Sequence, residues 1–160
     1  MRQEKAAASA VWKEVVRMDW VLYYAQGIEM LYLGIGSYLD MKNRELPILY
    51  FIIFGIAGIA YNRASNYQST ASMVFGACIG CVFLIIGWIT KEAIGYGDGL
   101  GVLVLGIMEG GMGSLPILFS AFFMSGMYGL WRMFGLKKIS EDSIPLFPFL
   151  FAGLLGGIFL

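Results

Sequence analysis

Histidine is absent from the 160 residues, which removes imidazole as a general base, as the activator of a nucleophile and as a metal ligand. Cysteine is nearly absent too. Cys78 and Cys81 are the only two; they lie three positions apart inside the apolar run from Ala71 to Thr90, cannot supply the four protein ligands of a structural zinc site, and read as helix packing. No metal and no cofactor are expected. Charged residues make up only 14% of the chain and sum to a formal net charge of zero. The basic ones stand singly or in pairs, so there is no electrostatic footprint for nucleic acid. The chemical inventory that remains is carboxylates, lysines, tyrosines and two thiols.

What the chain has instead is apolar bulk. Hydrophobic residues reach 59% and mean hydropathy is +0.74, too apolar for a soluble domain of this length. A hydrocarbon core of ~30 Å takes about 20 helical residues per crossing, which allows at most about six or seven spans and leaves no room for a separate soluble domain. The expected fold is all-α: a polytopic membrane protein built as a bundle of about six transmembrane helices. The candidate spans are Trp20 to Leu39, Pro47 to Tyr61, Ala71 to Thr90, Gly97 to Glu109, Leu115 to Trp131 and Pro145 to Leu160. Loops are expected at Asp40 to Glu45, Asn62 to Gln68, Lys91 to Glu92, Gly110 to Ser114 and Arg132 to Ser143. Small residues four apart, Gly76 with Gly80, Gly106 with Gly110 and Gly153 with Gly157, predict close helix contacts.

The first 18 residues carry Arg2, Glu4, Lys5, Lys13, Glu14 and Arg17 among alanines and lack the apolar core of a cleavable signal peptide. Val11, Trp12, Val15 and Val16 share one side of a helical wheel, so residues 1–18 read as an interfacial segment ahead of a transmembrane domain at 19–160. Placing the Asp40 loop in the cytoplasm puts Lys42, Arg44, Lys91, Arg132, Lys137 and Lys138 inside and leaves Arg2, Lys5, Lys13, Arg17 and Arg63 outside. That narrow majority favours a cytoplasmic Asp40.

Charged groups in or beside a span are costly, so Glu29, Asp40, Asp98 and Glu109 are the functional candidates. Asp40 closes the first expected span and Asp98 opens the fourth, so three crossings between them bring both to one membrane face. Two carboxylates in a partly dry site raise each other's proton affinity, leaving one ionised and one protonated. Such a pair suits amide hydrolysis: the carboxylate takes a proton from water while the acid donates to the carbonyl oxygen. Around the second aspartate, Gly95, Gly97 and Gly99 flank Tyr96 and Asp98; the glycines disfavour regular helix and leave a side-chain-free wall on which an extended peptide can lie.

The Gly95-Tyr96-Gly97-Asp98 segment, with an earlier aspartate at a span end, resembles the GxGD membrane aspartyl proteases. Asp40-Met41-Lys42-Asn43-Arg44-Glu45-Leu46-Pro47 and Ile144-Pro145-Leu146-Phe147-Pro148-Phe149 look like two further motifs of the type IV prepilin and preflagellin peptidases, in order, from about Gly34 to Gly153. The resemblance implies Asp40 and Asp98 as the catalytic pair. It implies Gly95, Tyr96, Gly97, Gly99, Lys42, Arg44 and Pro148 as substrate-binding or supporting residues. The implied reaction removes the short basic leader of a pilin-like precursor at the cytoplasmic face of the plasma membrane, with the precursor's apolar segment in the lipid beside the enzyme. Two positions depart from the family pattern: Leu100 stands where a lysine is frequent, and Ile48 where an asparagine is. The paired CxxC motifs of bifunctional members are missing, so peptidase activity without methyl transfer is expected. An intramembrane protease of the presenilin or signal peptide peptidase kind is the alternative within proteolysis. An ion-coupled transporter is the alternative outside it.

Lys42 and Arg44 also fit a plain role as topology anchors. Glu29 and Glu109 admit two readings. Each lies 11 positions from an aspartate, so a pair of helices that joins Asp40 to Asp98 brings the glutamates together about 16 Å away. Otherwise Glu109 caps a short helix at the interface and Glu29 lines a wet crevice.

Overall fold

The computed structural model describes residues 2–90, 95–135 and 145–159, with side chains described for all of these except 2–14, 17–19, 135, 158 and 159. Five helices follow in order: α1 Arg2–Asn43, α2 Ile48–Ser65, α3 Thr70–Ile89, α4 Tyr96–Gly135 and α5 Phe147–Phe159. No strand occurs among the described residues. The expected loop at Lys91 to Glu92 and most of that at Arg132 to Ser143 lie outside the described residues.

Local chemistry sets the ends. Pro47, extended at φ −66° and ψ 137°, precedes α2, and Asn66 closes it in the left-handed region at φ 52°, where a short polar side chain tolerates the conformation. Ser69 caps α3 by accepting from the Ser72 N–H at 3.1 Å. The turn between α2 and α3 is therefore short and the two helices are antiparallel. α1 runs without a break from Arg2 through Asn43, so Asp40 sits in its last turns rather than in a loop.

α4 is two helices joined at one residue. Gly110 adopts φ 71° and ψ 173°, a conformation open essentially to glycine alone. The contacts with α3 show what the break does. Gly76 meets Gly106, Gly80 meets Leu103 and Leu84 meets Gly99, so the first half of α4 runs against α3. Beyond the break Phe75 lies on Gly111 and Phe83 stacks on Phe122 at 5.3 Å, so the second half runs with α3. The chain reverses at Gly110. A loop was expected over Gly110 to Ser114; the structure turns in one residue, and Ser114 is already helical and buried, its hydroxyl donating to Gly111 O at 3.1 Å.

Glycines set the closest approaches, as the spacing predicts, though not at every expected position. A Cβ on Gly76 would fall on the Gly106 backbone and one on Gly80 on the Leu103 backbone, while Gly153 rests against Ile117 O and Ser120 Oγ. Gly157 has nothing within 4 Å, and Gly110 serves the reversal. The core lies where α1, α2, the first half of α4 and α5 meet, around Tyr32, Leu33, Val102, Leu105, Phe147 and Leu150, all fully buried.

Ile48–Ser65, Thr70–Ile89 and Tyr96–Phe134 are long and apolar enough to cross a membrane by length and composition; Phe147–Gly157 is apolar but shorter. Large apolar side chains such as Trp88, Phe119 and Phe134 point outward at 73%, 76% and 87% exposure, a surface for lipid rather than water. The molecule is an all-helical membrane protein.

If the α3–α4 packing rests on glycine contact, Gly76→Ala should overpack it and cost about 1–3 kcal/mol. Gly27→Ala, with nothing within 4 Å of the added methyl, should be neutral or slightly stabilising. Thermal unfolding in detergent checks this, and equal melting temperatures for the two variants would contradict the packing.

Candidate active site

Asp40 and Asp98 reach one end of the bundle by antiparallel packing of α1 on the first half of α4. The Tyr32 hydroxyl of α1 donates to Gly101 O of α4 at 3.0 Å, fixing the register one turn from Asp98. At that end the two carboxyl groups are close enough for the charge of Asp40 to act on Asp98. Asp98 occupies the first turn of α4, where the Asp98 N–H donates to Gly95 O at 3.0 Å and the Gly99 N–H to the same oxygen at 3.3 Å.

That helical start corrects the expectation that the glycines break regular structure here. Gly99 is buried, and a Cβ on it would lie 2.7 Å from Leu84 Cδ2. Packing of α4 on α3 outweighs the roughly 1 kcal/mol that each glycine costs a helix. Among the described residues, nothing lies within 4 Å of a Cβ on Gly97, and a Cβ on Gly95 would meet only the Asp98 carboxyl, at 3.6 Å. Tyr96 beside them is exposed.

A third element completes the site. α5 begins against Asp40, and the Phe147 N–H donates to Asp40 Oδ2 at 3.2 Å, with the Leu146 N–H contributing a further donor. The free amides at a helix start suit an anion. The Phe147 ring locks this placement. It fills a socket between two glycines, since a Cβ on Gly36 of α1 or Gly101 of α4 would come within 2.5 Å of it. Tyr32 meets it edge-on at 6.0 Å, and Tyr50 stacks on Tyr32 at 5.4 Å while its hydroxyl donates to Tyr32 O. In the sequence the prolines at 145 and 148 mark this helix start, since proline is favoured there.

The other expected site residues are peripheral. Lys42 is exposed, its ammonium 5.6 Å from the Tyr38 ring. Arg44 is exposed where the chain leaves α1 at φ 55°. Pro148 is half-buried in the first turn of α5, one residue beyond the amide that meets Asp40. Glu29 and Glu109 adopt the paired arrangement: their side chains hydrogen-bond to each other, at the opposite end of the α1–α4 pair from the aspartates.

A helical membrane protein that holds two carboxyl groups together at one end, against an amide-rich helix start, fits the class of membrane-embedded hydrolases. The type IV leader peptidase family matches residues 28–130, and the chain belongs to that family; it is a protease of this general kind. The match takes in Glu29, Asp40, Asp98 and Glu109 and ends before the Pro145 to Phe149 segment. No curated protein and no solved structure matches the chain.

Burial pushes the Asp40 carboxyl above its ordinary value, against the opposing pull of the Phe147 and Leu146 amides. A carboxyl raised in this way favours the fold while protonated, and that contribution is lost as pH rises through the folded-state value. Asp40→Asn, which keeps a neutral acceptor for the Phe147 amide, should therefore melt higher than the parent at pH 7. The difference should shrink as pH falls toward about 4, where the unfolded carboxyl is protonated too. A melting curve with no gain at pH 7 would contradict the burial of this charge.

Proposed function

We propose that the protein removes the short N-terminal leader of type IV prepilin-like or preflagellin-like precursors, with a water molecule activated between Asp40 and Asp98. The observation that carries this reading is the convergence of the two carboxyl groups at one end of the bundle. The family match supports leader cleavage.

The surroundings suggest a division of labour. Asp40 accepts hydrogen bonds from backbone amides at the start of α5, which favours its ionised form as the base that takes a proton from water. Asp98 then carries the proton and donates it to the scissile carbonyl oxygen. Attack forms a tetrahedral carbon, and return of a proton to the leaving nitrogen breaks the amide bond. The reaction needs no metal or cofactor. The open faces of Gly95 and Gly97 give an extended substrate backbone room to lie beside Asp98. Lys42 and Arg44 act as anchors that hold this face at the membrane surface, because a basic leader would be repelled by them.

The reversal at Gly110 supports about six crossings, because it divides α4 into two antiparallel halves. With the first crossing in α1 from about Trp20 and the sixth in α5, Asp40 and Asp98 share the cytoplasmic face of the plasma membrane. Residues 19–160 form the peptidase domain, and the unbroken α1 carries residues 2–18 beyond the first crossing. The precursor's apolar segment docks through lipid against the exposed apolar surface.

Co-expression with a pilin-like precursor tests the reading through loss of the leader on a gel. Asp40→Asn and Asp98→Asn should each lower cleavage by about 10²–10⁴-fold, the scale of general acid–base catalysis. Gly27→Ala, remote from the site, should retain it. Retained cleavage in either aspartate variant would rule out the paired mechanism.

A further inference from the structure

The end of the bundle away from Asp40 and Asp98 carries a second polar cluster. The break at Gly110 deprives the preceding carbonyls of intrahelical donors. Asn62 of α2 satisfies two of them: its Nδ2 donates to Ile107 O at 3.1 Å and Met108 O at 3.3 Å. Both partners are acceptors, so the amide can be oriented only one way, with Oδ1 turned from these carbonyls. That oxygen is buried and meets no donor, and the same is true of Glu29 Oε2. Asn62 is 2% exposed and Glu29 1%. Both side chains line one cavity of about 10 Å³, room for a single water-sized occupant.

The oxygens left over at that cavity are those of Asn62 and Glu29. Tyr61 lines it too, but its hydroxyl donates to Val21 O. The broken helix presents the negative end of its dipole there. Glu109, hydrogen-bonded to Glu29, also borders a larger cavity of about 240 Å³ with Gln26, Pro116 and Leu154. Among the described residues no lysine or arginine lines either cavity. Two hydrogen-bonded carboxyl groups hold at least one proton; with only one, the pair is an anion lacking a counter-charge. Water would satisfy the orphan oxygens but would leave that charge in place.

We infer that Glu29, Glu109 and Asn62 form a binding site for one dehydrated monovalent cation of sodium size, taken up at the broken end of α4 in exchange for a proton of the glutamate pair. The doubly protonated pair is neutral. Entry of sodium releases one proton, and the singly protonated pair with its cation is neutral again. Half-helix C-termini beside carboxyl groups are a recurrent setting for such ions in membranes. The occupant ties α1, α2 and the first half of α4 together. The other titratable neighbours are Tyr61 on α2 and Tyr67 in the following turn, which interacts electrostatically with both glutamates. Of α5, Leu154 and Gly157 line the larger cavity.

The test is thermal unfolding of the purified full-length protein in detergent, with sodium chloride titrated against choline chloride at constant ionic strength. Sodium should raise the melting temperature saturably while choline does not. The midpoint should move to about tenfold more sodium for each unit fall in pH while one proton is displaced. Glu29→Gln should abolish the dependence and Asn62→Ala should weaken it at least about tenfold. If Glu29→Gln fails to fold, Asn62→Ala decides. Identical melting in sodium and choline at every pH, the result of a plain water in the cavity, would overturn the inference. So would a sodium response that survives Asn62→Ala unchanged.

Discussion

The start of α5 against Asp40 is the contact on which the rest of the site depends. One residue makes it twice over: the Phe147 ring fills the socket left by Gly36 and Gly101, and the Phe147 amide meets the Asp40 carboxyl. The ring fixes the distances between α1, α4 and α5, and the amide fixes the direction of the carboxyl. Removing the ring would leave a core cavity at a cost of about 3–5 kcal/mol and would free the helix start that faces Asp40. Stability and site geometry are thus set by the same atoms.

Two ends of one helix pair carry opposite solutions to burying acids. At the Asp40 end the Asp40 carboxyl has an amide donor, and Gly95 and Gly97 lie beside Asp98. At the Glu29 end one carboxyl oxygen and the Asn62 amide oxygen are buried beside a tight cavity and lack donors among the described residues. Both arrangements follow from antiparallel packing of α1 on the first half of α4. The 11-residue spacing on each helix brings the second pair together once the first has met.

Much of this was legible in the residues. Apolar content pointed to a helical membrane protein, and the meeting of Glu29 and Glu109 was one of the two readings that their spacing allowed. The glycine run at 95–99 was misread as irregular because local propensity was weighed without the α3 surface that Gly99 packs on. Gly110 was read as part of a loop because nothing local distinguishes a one-residue reversal from a flexible connection. Part of the role of Phe147 lies in a backbone amide, which the sequence does not mark. The orphan oxygen of Asn62 depends on where α2 meets the broken helix, a relation between distant segments that no local pattern encodes.

The central claim is that Asp40 and Asp98 lie side by side, and cysteine cross-linking measures it most directly. In a Cys78→Ser and Cys81→Ser background, Asp40→Cys combined with Asp98→Cys should form an intrachain disulfide under mild oxidation in membranes. Asp40→Cys combined with Glu109→Cys should not. A link in the second pair and none in the first would contradict the account.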